Sequence, residues 1–117
     1  MPLFAFVAPI QPNKTGEFRQ FIADLNGPRK EEYETSRRNA GFRQEAMFLQ
    51  KTPAGDMVVL VQDAESEQAA LSALRGMTDS FHHWYFQQMK DIHGIDIPGP
   101  AMPQNEVLLD YRADLKD

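Results

Sequence analysis

Residues 42–62, FRQEAMFLQKTPAGDMVVLVQ, contain two strand-like runs separated by a turn. The runs 42–50 and 57–62 are mostly apolar or β-prone, and Pro53 and Gly55 lie between them, which predicts a β-hairpin. Because the second run is continuously apolar from residue 57 to residue 61, both of its faces should be covered. The hairpin therefore predicts a sheet with helices on one face and a second covering layer on the other.

The segments that precede the hairpin predict one strand and two helices. Residues 3–8 are apolar and lie between two prolines, which are tolerated at the ends of a strand. Within residues 18–25, apolar side chains spaced three, four and seven residues apart predict a helix. Asn13 or Thr15 is its expected N-cap. Residues 28–40 predict a second helix that is mostly solvated, since few of them are apolar.

The segments that follow the hairpin predict two more helices and a last strand. Ser66 should cap a helix that runs to about residue 75, and residues 79–92 should form a longer one. Residues 98–105 are rich in proline and predict a stiff connector. Residues 106–112 alternate partly between apolar and polar types, which predicts the last strand.

The predicted order of elements is that of a ferredoxin-like β-α-β-β-α-β domain with extra helical turns. The whole chain of 117 residues fits one α+β domain with a single core. Helices would cover one face of the antiparallel sheet, whereas the apolar central strand calls for cover on both. We therefore expect a homodimer through the sheet faces, which would form a dimeric α/β barrel.

The composition of the chain argues against several classes of protein. It has no cysteine, which excludes thiolate chemistry and disulfide scaffolds, and its formal net charge of −5 disfavours nucleic acid as a partner. The apolar stretch at the N-terminus is short and lacks a basic segment, so neither a signal peptide nor a membrane span is expected. A cytoplasmic protein is the simplest expectation.

Residues 79–92 carry the most distinctive side chains of the sequence. On a helix, a wide apolar arc would include Phe81, Trp84, Tyr85, Phe86, Met89 and Ile92, with His82 at its edge. His82 and His93 share a face but would lie about 16 Å apart along the axis, too far to share a metal ion. We expect no metal site and no cofactor, with haem bound through His82 as an alternative. If His82 has no ligand, we expect its ring to form a hydrogen bond with a backbone carbonyl or with water.

Tyr33 and Arg37 form a second candidate group, because residues four apart share one helix face. A hydroxyl and a guanidinium directed at a cleft could hold a carboxylate or an enolate. The alternative is a tyrosine packed against an arginine stem on a solvated helix. Phosphate-binding glycine loops, nucleophile elbows and zinc-protease motifs are missing from the sequence.

Several short motifs together resemble a bacterial family of unknown function that is placed with the dimeric α+β barrels. The residues that carry the resemblance are Leu25-Asn26-Gly27-Pro28-Arg29, Tyr33, Arg37-Arg38, Phe48-Leu49-Gln50, Gly55-Asp56-Met57-Val58-Val59, Phe81, Trp84 and His93-Gly94-Ile95-Asp96. The resemblance implies a dimer with a cleft between the sheet and its helices. The wider superfamily includes cofactor-free monooxygenases, isomerases and haem enzymes, but none of their catalytic motifs matches this chain.

We therefore expect a small organic ligand in a cleft under the helix that begins near His82. The residues expected to line it are Tyr33, Arg37, His82, Tyr85 and His93. For a monooxygenase- or isomerase-like enzyme, His82 is the candidate base. The alternatives are a non-enzymatic structural or regulatory homodimer, and an amino-acid-sensing domain with its ligand at the dimer seam.

Overall fold

The computed structural model describes residues 3–94 and 105–113, and shows an α+β fold with four helices and a three-stranded antiparallel sheet. In chain order the elements are β1 (Leu3–Pro9), α1 (Thr15–Leu25), α2 (Lys30–Ala40), β2 (Phe42–Thr52), β3 (Gly55–Ala64), α3 (Glu67–Arg75) and α4 (Ser80–His93). The strand order is β1-β3-β2, so the apolar strand β3 is central, as predicted. None of the helices in these segments is long and apolar enough to span a membrane.

The β2–β3 hairpin forms where the sequence predicts it. Thr52 and Gly55 are the last pair of the ladder, and the Thr52 hydroxyl donates a hydrogen bond of 2.6 Å to the Gly55 carbonyl. At the other end, a register shift between Phe42 and Gln44 marks a bulge in β2. Such bulges bend a strand and increase its twist.

The strand alternation divides the sheet into an inner face under the helices and an outer face. On the inner face, Phe6 and Val58 pack with Phe21, Phe81 and Ile92 from the helices, and Phe21 and Ile92 have no exposed surface. A fully buried side chain of this size contributes about 1.5–3 kcal/mol relative to leaving it in water. A second cluster adds Phe4, Ala40, Phe42, Ala64, Ala70 and Leu74.

The centre of the outer face has two rows of apolar residues that cross all three strands. The rows are Val7-Val59-Phe48 and Ala5-Val61-Ala46. Val7 is 52% exposed and Phe48 is 56% exposed, and the other four are partly buried by their neighbours. No helix of the described segments lies on this face, so these segments cover β3 with helices on one face only.

The helix caps confirm some local predictions and correct another. Ser66 accepts a hydrogen bond of 3.2 Å from the Ala69 amide and caps α3 as expected. Neither Asn13 nor Thr15 caps α1, because its N-cap residue is Lys14 and the Thr15 hydroxyl instead donates 2.6 Å to the Asp56 carboxylate. A contact between distant segments has replaced the local cap.

The last turn of α4 is tied to the chain just after β1. Gly94 ends the helix with a φ of 73°, a backbone conformation that favours glycine. The Gln11 amide donates to the Ile92 carbonyl, and the Gln11 side chain donates to the Asp91 carbonyl, both at 2.9 Å. These bonds satisfy carbonyls that a helix end otherwise leaves without partners.

The predicted last strand over residues 106–112 is wrong, since this segment is irregular and exposed. The side-chain amide of Asn105 bonds both backbone groups of Ala5, at the free edge of β1, where a fourth strand would have paired through its own backbone. The apolar residues that suggested a strand lie on no apolar surface of the same chain. Most of the predicted connector, residues 98–104, lies outside the described residues.

Candidate functional site

A buried ion pair joins the last turn of α2 to the inner face of the sheet. The side chain of Arg37 donates through Nε to Glu45 Oε1 at 2.9 Å, and both side chains are more than nine-tenths buried. The guanidinium carbon lies 4.8 Å from the centre of the Tyr33 ring and 4.7 Å from that of Tyr85. Two aromatic faces and a carboxylate thus replace the water that the cation has lost.

Glu45 has three side-chain donors, which together compensate the burial of its charge. The Tyr33 hydroxyl and Arg37 share Oε1, while Gln62 Nε2 donates to Oε2 at 2.5 Å. Burial and the nearby Glu45 carboxylate raise the pKa of Tyr33, and burial raises the pKa of Tyr85 to about 12. Both phenols therefore remain protonated donors at neutral pH.

His82 is held at both ring nitrogens. Its Nδ1 lies 2.5 Å from Asp79 Oδ1, and its Nε2 lies 2.6 Å from the Ser36 hydroxyl oxygen. The hydrogen bond from His82 lowers the pKa of Asp79, so this carboxylate is ionised and can only accept. Nδ1 must therefore carry a proton, and in the tautomer whose Nε2 is unprotonated that nitrogen accepts from the Ser36 hydroxyl.

Ser36 connects this histidine to the buried ion pair. Arg37 Nη1 donates to the Ser36 oxygen at 2.8 Å, which is compatible with that oxygen donating its own proton to His82. A continuous hydrogen-bonded chain thus runs from Asp79 through His82, Ser36 and Arg37 to Glu45. Within the described residues no buried side-chain nitrogen or oxygen lacks a partner.

One end of this chain opens into a surface pocket of about 430 Å³ between α2 and the start of α4. The residues that line it are Glu31, Glu32, Thr35, Ser36, Asn39, Met77, Asp79 and His82. Three carboxylates, two hydroxyls and an amide give the pocket a polar and mostly acidic wall. A site of this size and composition suits a small ligand with hydrogen-bond donors or a positive charge.

The space directly beneath α4 is nearly filled. A cavity of about 20 Å³ lies there, with Tyr85 and His93 among its lining residues, and it has room for about one water molecule. The expected cleft between this helix and the sheet is therefore too small for an organic ligand in the single chain. The pocket of about 430 Å³ lies to one side, at the N-terminal end of α4, and Tyr33, Arg37 and Glu45 line a separate surface pocket of about 510 Å³.

A protein-family model matches the sequence that contains this network. It covers residues 1–109 of the 117. The chain belongs to the DUF6176 family, a family of unknown function. This confirms the prediction of a family without an assigned function. No curated protein and no solved structure matches the chain, so any function for this DUF6176 domain must be inferred from its own residues.

The structure brings four of the five predicted site residues into one network. Tyr33, Arg37 and Tyr85 contact one another, and His82 joins them through Ser36. Arg37 is 6% exposed, so the prediction that α2 is mostly solvated misses this residue.

His93 lies apart from the network. Its Nδ1 is 2.9 Å from the Pro9 carbonyl, to which it donates, and its ring meets the edge of Phe18. Burial lowers the pKa of His93, which favours the neutral ring. In this DUF6176 chain, His93 therefore ties α4 to β1 and has no contact with His82.

Sequence reasoning missed four members of the network: Ser36, Glu45, Gln62 and Asp79. Two of them carry a signal in the sequence. Glu45 lies on the same strand face as the inward residues Met47 and Leu49, and Gln62 lies on the same face as Leu60. A polar residue at an inward position of a strand must have a partner inside. Ser36 and Asp79 carry no such signal, because their roles depend on how α2 meets α4.

The network offers no ready metal site. Among residues 3–94 and 105–113, no three histidine, aspartate or glutamate side chains lie close enough to hold a metal ion. Haem is a poor fit to His82, since both ring nitrogens already make hydrogen bonds and an axial ligand must release one of them.

Proposed function

We propose that this DUF6176 domain binds a small organic ligand in the pocket between α2 and α4, and that His82 takes a proton from it. One observation carries the proposal: Asp79, His82 and Ser36 form a hydrogen-bonded relay that opens on this pocket. A carboxylate that orients an imidazole, which in turn accepts from a hydroxyl, is a recurrent arrangement for proton transfer.

The relay assigns a role to each of the three residues. Because the Ser36 hydroxyl occupies Nε2 of His82, the ligand's proton passes to the Ser36 oxygen as the Ser36 proton passes to Nε2. Asp79 stabilises the imidazolium that results. The cofactor-free isomerase- and monooxygenase-like reactions expected from the resemblance both begin with the removal of a proton.

Native mass spectrometry of the full chain, purified without added ligand, is the first test. We expect the wild-type protein to show a mass above that of the chain, which corresponds to the bound ligand. The His82→Gln variant should show the mass of the chain alone. His83→Gln is the matched control, since His83 is the next residue of α4 and does not line the pocket. It should retain the mass.

A fragment titration followed by ¹⁵N NMR covers ligands that are lost in purification. The probes are small amines and amine-bearing carbonyl compounds, and the shifts should concentrate at Thr35, Asn39 and Met77. If neither surplus mass nor localised shifts appear, or if His82→Gln binds as the wild type does, the proposed site is wrong.

The outer sheet face favours a second candidate function, a structural or regulatory homodimer. Two apolar rows with Val7 and Phe48 more than half exposed form a continuous uncharged patch, which is unusual on a monomer. The order β1-β3-β2 also supports a ferredoxin-like sheet, from which a dimeric barrel forms when two outer faces meet. This module needs no ligand, and the nearly filled space under α4 is compatible with it.

Sedimentation velocity of the full chain tests the dimer. We expect a dimer for the wild type and a monomer for Phe48→Lys, because a charge would be buried where two sheets meet. The control is Gln68→Lys, which places the same charge at an exposed position of α3, away from the outer face. A monomeric wild type would refute the sheet-to-sheet dimer and leave the pocket proposal standing.

A further inference from the structure

Residues 105–113, which we name the C-terminal arm, expose apolar side chains to an unusual degree. Leu108 is 86% exposed, Leu109 is 87% exposed and Tyr111 is 84% exposed, and Val107 is about half exposed. Single exposed apolar residues are common, but four within five positions form a patch. Because both neighbouring leucines are more than four-fifths exposed, neither of their side chains packs on its own chain.

The arm is anchored beside the outer face. At its start, the Asn105 side chain bonds both backbone groups of Ala5 in β1. Near its end, Arg112 Nη1 lies 3.8 Å from Asp63 Oδ2, on the strand residue that pairs with Leu3. The first contact lies at the edge strand β1 and the second near the end of the central strand β3, so both hold the arm at the sheet while its apolar middle stays exposed.

We infer that the arm of each chain packs on the outer face of a second copy, an inference that rests on the sheet-to-sheet dimer proposed above. Under two-fold symmetry the two faces meet, and an arm fixed at the margin of one face reaches the margin of the other. Apolar side chains of the arm then meet the uncharged rows that contain Val7 and Phe48. One pairing covers both of the surfaces that the single chain leaves exposed.

The area of the interface supports this exchange. Three strands of 7, 11 and 10 residues offer a flat face of roughly 300–500 Å². A stable interface of standard size buries about 800 Å² on each partner. The sheet alone falls short of that area, and an arm of nine residues laid on each partner supplies much of the difference.

The dissociation constant of the full chain gives the first test. Leu108→Ser combined with Leu109→Ser should raise it at least about a hundredfold, because two arms each lose two buried leucines. Glu106→Ser, which changes an exposed polar residue of the same arm, should leave it unchanged. Analytical ultracentrifugation over a range of concentrations measures both variants.

Paramagnetic broadening identifies the chain on which the arm lies. The chain has no cysteine, so Glu106→Cys carries a single nitroxide label. Labelled chains are mixed with ¹⁵N-enriched wild-type chains, in which only contacts between chains are seen. We expect amide signals to broaden at Val7, Phe48 and Val59, and no broadening there from a control label at Gln68→Cys on α3.

Each other outcome overturns the inference. A dimer whose dissociation constant is insensitive to the leucine pair refutes the arm and retains the sheet dimer. Broadening confined to samples in which label and isotope share one chain places the arm on its own sheet. A wild-type monomer refutes both the arm exchange and the dimer.

Discussion

The inner and outer faces of the sheet differ in how far one chain completes them. The inner face contains a buried ion pair and several other polar groups, yet every buried side-chain polar atom there has a partner among the described residues. The outer face contains no charge in its two central rows, yet Val7 and Phe48 remain exposed. The inner face, which buries charged groups, has partners for them within the described residues. The outer face, which needs only apolar contacts, is left partly exposed to solvent.

This difference shows which face depends on the single chain and which on association. Charges inside a domain need partners at fixed positions, which only the same chain can guarantee during folding. An apolar surface needs only another apolar surface, which a second copy can supply. The predictions below either break this contrast or make it sharper.

Removal of Glu45 should have the largest effect. Glu45→Ala leaves Arg37 buried without its counter-charge and removes the acceptor of Tyr33 and Gln62, so the free energy of unfolding should fall by about 3–5 kcal/mol. Urea unfolding measures the loss. Glu34→Ala, which removes an exposed acid from α2, should change stability by less than about 0.5 kcal/mol. Equal effects of the two variants would mean that the inner network is not essential.

A pair of phenylalanines compares the two faces directly. Phe21→Ala opens a cavity in the core and should cost about 3–5 kcal/mol at any protein concentration. Phe48→Ala should cost less than about 0.5 kcal/mol where the chain is monomeric, and more as the concentration rises. Thermal unfolding at several concentrations distinguishes these cases. A cost for Phe48→Ala that does not vary with concentration would contradict an intermolecular role for the outer face.

A serine pair tests the connection between the ion pair and His82. Ser36→Ala should cost about 1–3 kcal/mol, because it leaves Arg37 Nη1 and His82 Nε2 without their partner in a buried site. The exposed Ser72→Ala on α3 should be nearly neutral. Chemical denaturation compares the two, and a neutral Ser36→Ala would indicate that water readily replaces the hydroxyl.

The pH dependence of stability should show a smaller effect, from His93. Its pKa is lowered in the folded state, so the unfolded state binds the proton more readily below the ordinary value of about 6.5. The stability that neutral His93 provides is full above pH 6.5 and is lost progressively as the pH falls below it. His93→Gln keeps a donor and cannot titrate.

Denaturation at pH 7.5, 6.5 and 5.5 checks this expectation. The stability of His93→Gln relative to wild type should improve as the pH falls. All other side chains are the same in both proteins, so their contributions largely cancel in the difference. A difference that stays constant with pH would show that the buried ring of His93 does not resist protonation.

Elements defined by repeated apolar spacing were predictable from the sequence. The hairpin over residues 42–62 and the helix over 79–92 appear within two residues of their expected limits, and the wide apolar arc of α4 is indeed buried. Apolar spacing predicts these elements correctly because many residues in each of them follow the same repeat.

Features that depend on a contact between distant segments were not predictable. Thr15 has a good side chain for an N-cap, but Asp56, from the turn of the hairpin, binds its hydroxyl. Arg37 has the same local sequence environment as the exposed Arg38, and only the position of Glu45 on β2 makes its burial possible. The predicted last strand over residues 106–112 is absent for a related reason, since strand formation depends on pairing with a distant strand, and this segment is irregular and exposed.

The bonds from Gln11 to the last turn of α4 have a consequence for amide hydrogen exchange. Gln11 belongs to no strand or helix, and a backbone amide in such a position ordinarily exchanges quickly. Its amide nonetheless donates to Ile92, so it can exchange only when the end of α4 separates from the segment after β1. The protection of this one loop amide therefore reports the opening of a helix that lies some eighty residues further along the chain.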